Sequence, residues 1–301
     1  MRRAVILVAL LVPTWAHAHE GGAHGYPWTF APWVTVPLAL SGLLYLVGVK
    51  RLWARAGQGR GVRNWQVLCF ALGWTSLLGA LVSPLHALGE RLFTAHMTEH
   101  EILMVVGAPL LVVARPIGGM LWALPPEMRR TLGGIGRVPV LERLWAWLVD
   151  PLTATTLHGI ALWVWHLPAL YEPALTNSLV HWLQHLSFFV TALFFWWSLL
   201  RGRARQRGYG AAVFYLFVTA LHSGFLGILL AVARAPLFPN QTSVATEWGL
   251  TPLEDQQLAG LIMWVPAGIV YAGAALALAA LWIQHSGSLA PRGGVDALAP
   301  R

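Results

Sequence analysis

The chain has 301 residues, 57% of them hydrophobic and only 11% charged, with a mean hydropathy of +0.60. A soluble domain carries about 25% charged residues, so an ordinary cytosolic enzyme and a disordered chain are both excluded. The single cysteine, Cys69, excludes a disulfide scaffold, a zinc ribbon and a CxxC redox motif.

From the start of the chain, residues 1–18 read as a cleavable signal peptide. Arg2 and Arg3 form its basic start, Ala4 to Val12 its apolar run, and Ala16-His17-Ala18 its small-residue cleavage site. The alternative, an uncleaved first helix, has too short an apolar run for a span of about 20 residues. Residues 19–32 then form a short outer tail, 33–285 a membrane domain and 286–301 a cytoplasmic tail. Seven apolar stretches fill the membrane domain, near 33–50, 65–83, 95–114, 153–171, 178–200, 209–233 and 257–283. Each is long enough to cross about 30 Å of hydrocarbon as a helix, and the strand-sized alternation of a membrane barrel is absent. The fold class expected is an all-α polytopic membrane protein of seven transmembrane helices. Between the third and fourth stretches, residues 115–152 mix Trp122, Trp145 and Trp147 with arginines, which predicts one or two helices lying on the membrane surface.

The charges orient this arrangement. With the mature N-terminus outside, sixteen of the twenty basic residues fall on the cytoplasmic side, and beyond the signal only Arg91 and Arg234 fall outside. That is the positive-inside pattern, so the net charge of +8 reports topology and leaves nucleic acid without support as a partner. The chain is expected in the cell's inner membrane with its C-terminus in the cytoplasm. Eight acids, Glu99, Glu101, Glu254 and Asp255 among them, collect at the outer side, where they attract cations or simply mark loops poor in Lys and Arg.

Ionisable groups inside spans are candidates for function. His96 and His100 open the third stretch and His181 and His185 the fifth; each pair is spaced i, i+4, which puts both rings on one helix face. His166 stands near the outer end of the fourth stretch, at similar depth. Met97 and Met104 bracket His100 and add thioethers. Imidazole suits copper and zinc, and thioether favours Cu(I). His222, deeper in the sixth stretch, is equally a ligand or a polar packing residue. His158 and His285 face the cytoplasmic half as structural residues, while His19 and His24 belong to the outer tail. Glu254 and Asp255 either cap the last helix or support the histidines from outside the ligand sphere, as Glu99 would. Pro168 ends or kinks the helix at His166.

Two other chemistries fit parts of this pattern. His96-Met97-Thr98-Glu99-His100 matches H-x-x-E-H, a metallopeptidase signature in which the Glu activates water. Paired histidines on two helices also suit a haem in a membrane cytochrome. In a copper site Glu99→Gln would matter little, whereas a peptidase would lose nearly all activity with it.

Several blocks occur in order: HMTEH and APLLVVARP (96–116), WHLPALYEPAL (165–175), HWLQHLSFFVTALFFWW (181–197), ARAPLFP after His222 (233–239), and TPLEDQQLAGLIMW (251–264). In these the chain resembles the seven-span CtaG-type assembly factors of caa3-type cytochrome c oxidase. The resemblance implies a protein that is not an enzyme and that helps mature the oxidase by handling copper on the outer side. Its partners would be cytochrome c oxidase subunits and a copper donor protein. Carried over by position, the family's polar residues match His96, His100, His166, His181, His185, His222, Glu254, Asp255 and Gln256.

Overall fold

The computed structural model describes residues 27–201, 208–242 and 244–289. The expected signal peptide, His19 and His24, and most of the C-terminal tail lie outside the described residues. Among those described, every regular element is helical. In chain order they are α1 (Pro32–Ala56), α2 (Asn64–Leu81), α3 (Pro84–Gly89), α4 (Phe93–Glu101), a π-helical segment (Ile102–Gly107), α5 (Ala108–Ala114), α6 (Pro116–Leu121), α7 (Pro126–Ile135) and α8 (Pro139–Leu148). Then come α9 (Pro151–Trp165), α10 (Pro168–Thr176), α11 (Ser178–Leu200), α12 (Tyr209–Ala231), a 3-10 turn (Ala245–Trp248) and α13 (Pro252–Leu289). Proline opens eight of these helices, where its missing N–H costs nothing and its fixed φ suits the first turn.

Among the described residues, five helices are long and apolar enough to cross a membrane: Pro32–Ala56, Phe93–Ala114, Ser178–Leu200, Tyr209–Ala231 and Pro252–Gln284. Many large apolar side chains point outward from them, Leu40, Leu43, Leu46, Phe214, Phe217, Leu221 and Ile269 among them. Conversely, histidines, glutamates and glutamines are buried. That inversion suits a bundle whose solvent is lipid. The two remaining apolar stretches fold as shorter pieces. Residues 65–83 become α2, of 18 residues. Residues 153–171 break at His166, because Pro168 starts a new helix. The 15 residues of α9 reach about 22 Å at 1.5 Å per residue. The surface segment resolves into α7 and α8, none of whose residues is buried; Arg129 stacks over the Trp122 ring, 4.1 Å from its centroid.

The third span carries a local irregularity with a clear cause. The π segment shifts the backbone bonds so that Ala108 donates to Leu103 O, and Met104 O then faces the nitrogen of Pro109, which has no hydrogen to give. The Trp196 indole on α11 fills that role with a 2.9 Å bond to Met104 O. Around it Phe188, Phe195, Trp196 and Leu199 of α11 form the central core with Val105, Ala108, Leu162, Leu216 and Tyr271.

Helices α12 and α13 approach so closely that a Cβ at Gly260 would lie 2.5 Å from Gly227 O and 2.7 Å from Ala231 N. Gly268, on the same helix, faces open space. Gly260→Val is expected to lower thermal stability in detergent by about 1–3 kcal/mol through overpacking. Gly268→Ala is expected to leave the melting temperature unchanged or raise it.

Candidate metal centre

Two capped helices aim the paired histidines at each other. At the start of α4 the main-chain N–H groups of Phe93 and Thr94 donate to the two carboxylate oxygens of Asp255, each at 2.9 Å, and the Thr94 hydroxyl adds a 2.6 Å bond. Asp255 lies in the first turn of α13, so it caps a neighbouring helix across the fold. At the start of α11 the Asn177 side chain accepts from Leu179 and Val180. His96 and His100 therefore sit within two turns of one fixed helix start, and His181 and His185 within two turns of another.

The rings meet. Centroid separations are 4.2 Å for His96–His100, 4.9 Å for His100–His185, 5.4 Å for His96–His181 and 5.7 Å for His96–His185. His181 Nε2 and His185 Nε2 are 3.1 Å apart. Donor atoms of His96, His181 and His185 all lie within 4.8 Å of one another, a spacing one ion could bridge with bonds of about 2 Å after small side-chain adjustments. His166 lies near enough to His96 and His100 to interact electrostatically, with its ring 6.3 Å from that of Phe188. Its Nδ1 donates to Leu162 O at 2.6 Å, which leaves Nε2 with a lone pair, buried and without a partner. Both nitrogens of His96 and of His100, and both amide atoms of Gln184, are likewise buried and unpaired. Such orphans are costly in a protein interior, and a bound cation satisfies imidazole lone pairs.

The structure adds a histidine that the sequence pattern passed over. His86, on α3, stacks on His181 at 5.5 Å and meets His185 edge-on at 5.8 Å. Its Nδ1 is 2.6 Å from Glu99 Oε1. Burial disfavours the His86 cation, but the bond to Glu99 and the charges of Glu99 and Glu90 outweigh it and hold the ring above its ordinary pKa. His86 belongs to no HxxxH pair, so spacing gave no hint; the available signal was Ser83-Pro84, a helix start that places a histidine at the level of the others. Glu99 is fully buried, with Oε2 unpaired. Its Oε1 holds one ring of the cluster, that of His86, in place.

Other expected members lie elsewhere. Met97 packs among Phe93, Tyr171, Leu226 and Phe238, and Met104 in the central core, so the thioethers serve as apolar filling. His222 stands over Gly159, 3.4 Å from where a Cβ would sit, and within electrostatic reach of His158. Gly159 is seven residues below His166, or about 10 Å along the helix axis. Glu254 is exposed and closes a reciprocal cap with Thr251 on its own helix, away from the histidines. Gln256 is buried and accepts from Leu237 N at 2.5 Å, pinning the 234–242 loop. Glu101, counted among the outer acids, is buried behind α4 with one carboxylate oxygen unpaired.

The cap across the fold is testable. Asp255→Ala leaves the two main-chain donors at the start of α4 without an acceptor, the Thr94 hydroxyl keeping its bond to the residue 255 carbonyl, and the melting temperature should drop by the equivalent of about 1–3 kcal/mol. Glu254→Ala should shift it far less.

Comparisons with known proteins agree with this architecture. The Caa3_CtaG family, cytochrome c oxidase caa3 assembly factors, matches residues 43–285. An uncharacterized protein of Mycobacterium bovis is 25% identical over 240 residues, covering 76% of this chain and 35% of that protein. An uncharacterized protein of Mycobacterium leprae is 27% identical over 281 residues, covering 88% of this chain and 41% of its own length. The chain thus spans well under half the length of these curated relatives. No solved structure matches it. The aligned region takes in the whole histidine cluster and all the helices that build it, and the chain belongs to the family of caa3 cytochrome c oxidase assembly factors.

Proposed function

We propose that this chain binds copper in the histidine cluster, on the non-cytoplasmic side of the cell membrane, and helps deliver it to cytochrome c oxidase subunits. The observation that carries this reading is the convergence of imidazoles from α4 and α11 in a lipid-adapted bundle, with donor atoms of His96, His181 and His185 within 4.8 Å of one another and the ring nitrogens of His96 and His100 buried and unpaired. Neutral imidazoles suit copper or zinc, and family membership favours copper. His96, His100, His181 and His185 are the proposed ligands, with His166 beside them. Gln184 lies in contact range of His96.

The full topology belongs to this proposal. Here α2, and α9 together with α10, complete seven spans, the mature N-terminus follows a cleaved signal peptide outside the cell, and the C-terminus is cytoplasmic. A copper donor protein would approach from outside. Haem is disfavoured by the ring-to-ring packing of the histidines, which leaves no slab for a porphyrin between them. A cavity of about 1410 Å³ is lined by Trp65, Trp74, Arg115 and Trp145 among others and by no histidine. A peptidase would have to work through Glu99 Oε2 alone, because Oε1 is engaged by His86.

Metal analysis and an optical spectrum of the detergent-purified protein test the reading. Copper near one equivalent without a Soret band is expected, and His100→Ala or His185→Ala should lose most of it along with active oxidase, while still inserting in the membrane. A strong Soret band, or copper retained in both variants, contradicts the proposal. For the topology, cysteines introduced at exposed positions of the 234–242 loop should react with an impermeant thiol reagent in intact cells, and cysteines at 58–60 should not.

A further inference from the structure

We propose that copper occupies either of two positions that share His185, and that His86 with Glu99 forms the loading position. This rests on the copper reading above. Two groups of donors each lie within 4.8 Å of one another: His96, His181 and His185, and separately His86, Glu99 and His185. A neutral imidazole offers a metal one lone pair, so His185 cannot serve two ions at once. The groups are alternative stations for a single ion.

Each group has one half-buried member, His86 in one and His181 in the other. The His86 side chain is 16% exposed, whereas His96 is 1% exposed. A cation that reaches His86 from outside still has His96, the most buried ring of the other group, ahead of it. With Nδ1–H of His86 given to Glu99 Oε1, Nε2 is the ring nitrogen left for the ion, which displaces to solvent the proton held there when the ring is charged, and Glu99 Oε2 is buried without a partner. Gly89 leaves room for that oxygen, since a Cβ there would lie 2.6 Å from it.

Ligand chemistry supplies the direction. A carboxylate neutralises the arriving ion but is a hard ligand, poorly matched to Cu(I); three imidazoles suit it better. In the transfer the ion keeps its bond to His185, the bonds to His86 and Glu99 break, and bonds to His96 and His181 form. No electron moves. Glu99 keeps its charge and its bond to the His86 N–H.

The test is the rate at which the full-length purified protein removes Cu(I) from a coloured chelator, read with the copper bound at equilibrium. The unmodified protein should take up one ion. His86→Gln and Glu99→Gln should reach nearly the same final occupancy but load about 10-fold more slowly or worse, a loss typical of removing groups that support a metal site. His96→Gln and His181→Gln should fail to hold the ion. Unchanged loading in both slow variants, occupancy lost in His86→Gln as fully as in His96→Gln, or two ions bound together would each overturn the two-station reading. No copper on the unmodified protein would instead defeat the copper reading itself.

Discussion

A polar atom surrounded by hydrocarbon has no water to turn to, and leaving it unpaired costs several kcal/mol. Much of this fold is arranged around that cost. The first N–H groups of α4 would be orphaned at a buried helix start, and Asp255 reaches over from α13 to take them. Met104 O would be orphaned by Pro109, and Trp196 takes it. Gln241 donates to Gly89 O and Gln257 to Ala233 O, so the loop between the last two helices is tied down by the same means. These bonds fix the axial position of α4 relative to α11 and α13, and that position is what brings the histidines to one level.

Against that background the cluster is conspicuous. Among the described residues, eight of the seventeen buried side-chain polar atoms without a partner belong to His96, Glu99, His100, His166 and Gln184. A fold that satisfies its backbone across helices thus gathers nearly half of these unpaired side-chain atoms in one place. In the proposed copper site the cation would take one lone pair from each imidazole and so satisfy part of this unpaired set. His166 and His86 show how its geometry is held: each gives one ring nitrogen to a fixed acceptor, which determines the tautomer and leaves the other nitrogen for the site.

Much of this was legible in the chain. Apolar runs marked the helices, and the HxxxH spacing marked two helix faces whose meeting followed from the avoidance of lipid by polar groups. What sequence spacing could not supply was contact between elements. His86 was invisible because it is alone in its short helix and enters the site only through stacking on His181 and its bond to Glu99. Met97 and Met104 sat at the right helical offsets from His100, yet those offsets turn them onto apolar surfaces of other helices. Asp255 and Glu254 are adjacent and chemically alike, but one is buried as a cap for a distant helix and the other is exposed on its own. The fourth stretch breaks at His166 because a proline two residues later starts a new helix.

The central claim is that copper is held by imidazoles of this cluster. An X-ray absorption spectrum of the copper-loaded protein tests it most directly. The account predicts a first shell of nitrogen at about 2 Å with the outer-shell scattering of imidazole rings, and no sulfur near 2.3 Å. A first shell dominated by sulfur, or one lacking imidazole scattering, would contradict it.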